Sequence, residues 1–127
     1  MDYVSLEAIA DILNGYNFKS LNYVDNGIRI IRITNVQQGY LEDKDPVFYE
    51  YSKDIDRYLL KENDLLMSLT GNVGRVGMLG SSLLPAGLNQ RVACIRCKNE
   101  NFSIKFLYYF FNNELFRNNA ISNSNGV

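Results

Sequence analysis

The sequence contains no histidine, only two cysteines and only two prolines. Without histidine there is no imidazole base for a serine or cysteine hydrolase, and the usual ligand of a catalytic zinc is missing. The two cysteines form a C-x-x-C match, Cys94-Ile95-Arg96-Cys97. It falls inside a predicted strand, where residues three apart face opposite sides. A redox pair would want a helix N-terminus to lower a thiol pKa, and a zinc site would want two more ligands. Both cysteines are therefore expected to be ordinary strand or core residues. No apolar run approaches the length of a membrane span. The start, Met1-Asp2-Tyr3-Val4-Ser5, lacks the basic and apolar regions of a secretory signal, so the expected location is the cytoplasm.

Further absences narrow the chemistry. Gly71-Asn72-Val73-Gly74-Arg75-Val76-Gly77 has the glycines of a phosphate loop, but no Lys-Ser/Thr pair follows them and the next element reads as a strand. The acids form no spaced pair suited to acid-base work or to Mg²⁺. A small nuclease or methyltransferase therefore finds little support.

What remains is a soluble, globular composition: 127 residues, 46% apolar and 21% charged, enough for one domain spanning 1–127. The formal charge is −1, but it is polarised. Residues 1–64 hold 12 acids and 7 bases, whereas residues 65–127 hold 2 acids and 6 bases. The second half can face phosphates.

Leu6, Ile9, Ala10 and Leu13 repeat at helical spacing behind a possible Ser5 cap and before Gly15, which predicts a helix over Leu6–Leu13. A polar loop to Asn26-Gly27 follows. Ile28–Ile33 is rich in β-branched residues and reads as a strand. Arg29 and Arg32 would face opposite sides of a regular strand, and a bulge at Ile30-Ile31 would bring them to one face. Gln37–Tyr40 reads as a turn and Glu42–Asp56 as an acidic, solvated excursion with room for a short helix. Strands are predicted over Leu65–Thr70, Arg75–Leu79 and Arg91–Cys97, with loops at 71–74 and 80–87. A final helix is predicted near Ser103–Arg117, its stripe formed by Ile104, Leu107, Phe111 and Leu115 and thickened by Phe106 and Phe110. The expected fold is α+β: an N-terminal helix, a mostly antiparallel twisted sheet, and a C-terminal helix.

Read in order, the segments form a pattern. Gly15 and Phe18-Lys19-Ser20 precede Tyr23. Gly27-Ile28-Arg29-Ile30-Ile31-Arg32-Ile33-Thr34-Asn35-Val36 and Gly39-Tyr40-Leu41 follow. Leu60-Lys61-Glu62-Asn63-Asp64-Leu65-Leu66-Met67-Ser68 leads into Thr70-Gly71-Asn72-Val73-Gly74-Arg75. Leu88-Asn89-Gln90-Arg91-Val92 and Phe106-Leu107-Tyr108-Tyr109 complete it. This order resembles the target recognition domain of type I restriction-modification specificity subunits over nearly the whole chain.

The resemblance implies one half of a split double-stranded DNA target as ligand, with modification (methyltransferase) and restriction subunits as partners and a second specificity half-subunit as a further one. It implies no cofactor in this chain; S-adenosylmethionine, ATP and Mg belong to the partners. The stretch expected after Asn125-Gly126-Val127, a proline-rich anchor and a long spacer helix, does not follow, as in a fragment, a truncated reading frame or an isolated domain.

Such a domain needs outward donors, acceptors and cations. Asn72 and Arg75 suit a base edge or a phosphate, against the plain reading of a hairpin loop. Lys19, Ser20 and Tyr23 form a polar loop, although Tyr23 can simply cover the core. Arg29 and Arg32 are phosphate clamps or solvated strand residues. Gln37 and Gln38 can pair with adenine. Asn89, Gln90 and Arg91 contact DNA or only close a turn. Tyr108–Phe111 read mainly as core, exposed members being able to dock the absent spacer. The contrasting reading is an interaction module that engages restriction or modification subunits without reading DNA, suggested by the acidic first half.

Overall fold

A computed structural model describes residues 10–98 and 103–113 of the chain. Strands β1 (Ala10–Asn14), β7 (Val92–Cys97), β4 (Leu65–Ser68) and β5 (Val76–Met78) form a four-stranded sheet in the order β1-β7-β4-β5, antiparallel throughout. A three-stranded sheet has the order β3 (Phe48–Tyr49), β2 (Ile28–Ile31), β6 (Ala86–Leu88). Its β2–β3 pair is antiparallel and its β2–β6 pair is parallel. Among the described residues one α-helix, α1 (Ile104–Phe111), follows the strands, its first turn capped by Ser103 Oγ accepting from the Phe106 N–H at 3.0 Å.

The layers follow from which side chains share a face. Leu66, Val92 and Cys94 meet Ile31, Ala86 and Leu88 between the two sheets. Leu65, Val76 and Ile95 point the other way, onto Leu107 and Phe111 of α1. The four-stranded sheet is thus covered on both faces. That is why β4 and β7 read as nearly continuous apolar runs rather than alternating ones. A third cluster, Phe18, Ile28, Ile30 and Ile55, fills the outer face of the smaller sheet.

Several expectations need correction. Residues 10–13 of the predicted N-terminal helix are strand; residues 6–9 lie outside the described set. The helical spacing is real but spans barely two turns, and short helices are marginal without packing. The β7 edge offers a row of backbone donors and acceptors that needs partners, and β1 supplies them from Ala10↔Cys97 to Asn14↔Ala93. One sheet was expected and two are present. Two strands of the smaller sheet were missed: β6, inside the segment read as a loop, whose Ala-Gly-Leu sequence carries little strand signal and which distant β2 defines, and β3, inside the segment read as a solvated excursion, which β2 pairs from its other side. β2 ends at Ile31 in regular register, with no bulge in its ladders. In α1, Leu107 and Phe111 are buried, but Phe106 and Phe110 lie half exposed rather than thickening the stripe. Leu115 and residues 114–117 lie outside the described set.

The C-x-x-C reading holds. Cys94 and Cys97 form no disulfide and pack into clusters on opposite faces of the larger sheet. Burial, followed by the nearby Asp64 carboxylate, pushes the Cys94 thiol from 9.0 up to about 12. A thiol held neutral in the fold ionises first in the unfolded chain. Stability is therefore expected to be full below pH 9 and to fall as the pH rises from 9 towards 12. Chemical denaturation at pH 8 and pH 10.5 checks the sign, and Cys94→Ala should flatten the difference.

Candidate nucleic-acid interface

Strand directions place most of the singled-out residues at one end of the molecule. β2 and β6 run parallel with Ile31 opposite Leu88, so Arg32 and Asn89 leave the smaller sheet together. In the larger sheet Ser68 lies opposite Val92 and Met67 opposite Val76. Leu69, Arg91 and Arg75 therefore emerge at a common end. The turn Asn89–Arg91 joins β6 to β7 there. It is tied to both sheets, Asn89 N donating to Ile31 O at 3.4 Å and Leu69 N to Arg91 O at 3.1 Å. Asn89 Oδ1 accepts from Arg91 N at 3.4 Å, so this side chain helps close the turn.

The loop from Thr70 to Arg75 turns on two glycines with positive φ, Gly71 at 67° and Gly74 at 88°, a region that side chains with a Cβ rarely occupy. Ser68 braces it: its hydroxyl donates to Asn72 O and accepts from Arg75 N at 3.1 Å. Facing the loop is the short hairpin Val36–Leu41, closed by Gln37 N donating to Tyr40 O at 2.9 Å. Gly39 N donates to Val76 O at 2.9 Å, and the Tyr108 hydroxyl of α1 donates to Gly39 O at 2.6 Å.

Between loop and hairpin lies a cleft of about 320 Å³ lined by Ile33, Thr34, Val36, Gln37, Ser68, Gly71, Asn72 and Arg75. It contains one cation and no acid. Across it, Arg75 Nη1 donates to Gln37 Oε1 at 3.1 Å, and Gln37 Nε2 donates to Thr34 O at 3.0 Å. Gln38, Asn72 and Arg91 are exposed. The structure thus brings Gln37, Gln38, Asn72, Arg75, Asn89, Gln90 and Arg91 to one face.

It does not bring the others there. Lys19 and Tyr23 flank a single turn, Ser20–Asn22, which Ser20 opens, beside the β3 edge. The Tyr23 ring is 6.4 Å from that of Tyr49, which pairs with Ile28 at the start of β2, the far end of that strand. Arg29 is engaged within the chain. Its Nη1 donates to Leu83 O at 2.9 Å, its guanidinium covers Phe48, and its Nε lies 3.0 Å from Asp43 Oδ1, an ion pair without an aligned hydrogen bond. Arg32 donates through Nη2 to Asp45 O, in a second cleft with Glu42, Lys44 and Asp45. Both arginines hold the acidic segment in place.

Sequence reasoning passed over three residues that build this end: Thr34, Asn35 and Ser68. Asn35 is buried; its Oδ1 accepts from Arg32 N at 2.8 Å and its Nδ2 donates to Glu42 O at 2.9 Å. Only the polar residue just after an apolar strand hints at these roles.

The chain and its fold have known counterparts. The family model of the type I restriction modification DNA specificity domain matches residues 1–127. The chain belongs to this family. Among curated relatives, the type I restriction enzyme EcoAI specificity subunit of Escherichia coli is 32% identical over 99% of the chain. The MjaVIII specificity subunit of Methanocaldococcus jannaschii is 29% identical over 91%. This specificity domain spans 23% and 29% of those two relatives. In fold it is similar to a solved HsdS subunit from Thermoanaerobacter tengcongensis: TM-score 0.67, 17% identity, 86% of this chain and 26% of that one. The S subunit from M. genitalium gives a TM-score of 0.64 at 11% identity, over 97% of this chain and 28% of that one.

The specificity domain seats its Val36–Leu41 hairpin against β5 at Gly77, where an added Cβ would lie 2.6 Å from the Tyr40 carbonyl. Backbone cannot yield as a flexible side chain can. Gly77→Ala is expected to cost about 1–3 kcal/mol in thermal unfolding and to displace Gln37 and Gln38.

Proposed function

We propose that this specificity domain reads one half of a split double-stranded DNA target through the loop end that carries Gln38, Asn72, Arg75, Gln90 and Arg91. The observation that carries the reading is that Asn72 and Arg75 line an acid-free cleft at the end where the strands also place Gln38, Gln90 and Arg91, while the acidic segment 42–45 lines the adjoining cleft. Amides and guanidinium groups on rigid turns supply the donors and acceptors that a major-groove edge requires. The relatives are described as specificity subunits of restriction enzymes, and this chain corresponds to only a part of them. In this reading the domain performs no chemistry and works in the cytoplasm. Methyl transfer with S-adenosylmethionine and cleavage with ATP and Mg belong to modification and restriction subunits, and a second half-subunit reads the other half-site.

The test is selection from a random duplex library by the purified chain at low salt, followed by titration. One enriched motif is expected, with affinity that falls steeply as salt rises. No enrichment at any salt would contradict the function.

The acidic segment 42–45 and the exposed Phe106, Tyr109 and Phe110 face of α1 favour a second reading, a module that engages partner subunits without reading DNA. Capture of a modification subunit with no duplex shift at low salt would select it.

A further inference from the structure

We infer that Arg75 reads a guanine in this target, and that Gln37 is a positioning residue that holds the guanidinium for it. The inference rests on the duplex-reading function above. Arg75 is fixed at both ends: its backbone N donates to Ser68 Oγ at 3.1 Å and its Nη1 to Gln37 Oε1 at 3.1 Å. Gln37 is itself anchored, its Nε2 donating to Thr34 O at 3.0 Å. Both ends of the Gln37 amide are therefore occupied within the chain, which suits a brace better than a direct reader of adenine. The contact to Gln37 uses one of the five guanidinium N–H groups, and the rest stay in a planar fork. A neutral amide holds the fork without cancelling its charge.

That fork matches paired acceptors. Two sources present them in DNA: O6 and N7 of guanine, and a phosphate. No other base offers two neighbouring acceptors in the major groove. The surroundings favour the base. Ile33, Val36 and Gly71 form apolar walls, and Arg75 is the one cation among the residues lining the cleft. A phosphate would be expected to gather several donors or cations at an open rim. Arg75 is half-buried in a cleft that a base edge can enter.

The experiment uses the motif selected by the 127-residue chain. Its guanines are replaced one at a time by 7-deazaguanine, which removes the N7 acceptor and leaves the phosphates unchanged. At one guanine the parent chain should lose about tenfold in affinity, whereas Arg75→Ala should lose nothing further. Arg75→Lys, which keeps the charge and loses the fork, should behave like Arg75→Ala. Gln37→Ala should reduce the preference for that guanine by about fivefold to tenfold while moving random-duplex affinity by less than about twofold. Gln37→Glu, which keeps the acceptor but brings a negative charge to the fork and loses the bond to Thr34 O, should not restore the preference. If both alanine variants weaken every duplex equally and the deaza penalty persists, Arg75 contacts a phosphate and the inference fails. A motif without guanine, or a Gln37→Ala chain with full preference, also overturns it while leaving the duplex-reading function standing. Absence of any selected motif would contradict that function itself.

Discussion

Arg96→Ala is expected to remove about 3 kcal/mol of stability and to lower the melting temperature by more than about 10 °C. Asp64 is buried, and its carboxylate accepts from Arg96 Nε at 2.8 Å, Arg96 Nη2 at 2.9 Å and the Lys61 N–H at 2.7 Å. Arg96 Nη2 also donates to Leu59 O at 3.2 Å. The hydrogen bond to Asp64 raises the Arg96 pKa further above its ordinary value. This side-on pair stitches β7 to the turn that starts β4. Removing the cation leaves a carboxylate inside the protein without its counter-charge, and that desolvation dominates the loss. The converse separates this cause from lost packing. Asp64→Leu with Arg96→Leu removes both charges and should recover most of the stability. A single variant that melts within about 2 °C of the parent would show that the pair carries no such weight.

The second large effect concerns binding. The triple variant Asn72→Ala, Arg75→Ala, Arg91→Ala should lower affinity for the selected duplex by about a hundredfold to a thousandfold, from roughly 1–3 kcal/mol per good base contact. The three sites share one face, so the effects need not add. The side chains of Asn72 and Arg91 are exposed and Arg75 lies outside the apolar clusters, so melting should change little. Random-duplex affinity should fall less, since phosphate contacts elsewhere persist. Lys19→Ala with Tyr23→Ala, at the far end of β2, should change target affinity by less than about threefold. Equal losses from the two sets, measured by fluorescence titration, would remove the loop end from its assigned role.

Much of this site was legible before any fold was known. Gly71 and Gly74 marked a tight loop, Asn72 and Arg75 were its polar members, and apolar runs on either side fixed β4 and β5. Those signals are local. What stayed hidden depends on distant partners. Ala86-Gly87-Leu88 is a strand because β2 lies beside it, and Ala10–Asn14 is one because β7 has an open edge. Arg29 and Arg32 look like phosphate clamps until the acidic segment folds back onto them. Gln37 and Arg75, 38 positions apart, become a pair only when the Val36–Leu41 hairpin is seated on β5. Lys19, Ser20 and Tyr23 sit in the same kind of polar loop as Asn72, and only strand direction separates the two ends.

The most direct test grafts this domain into a complete specificity subunit in place of a resident one and maps the methylated adenines. One half-site should change to that of this domain, and the Asn72, Arg75, Arg91 triple variant should erase modification there while the other half-site requirement persists. A graft that modifies only the host's original sequence, or a triple variant that modifies the new site at an undiminished rate, would contradict the account.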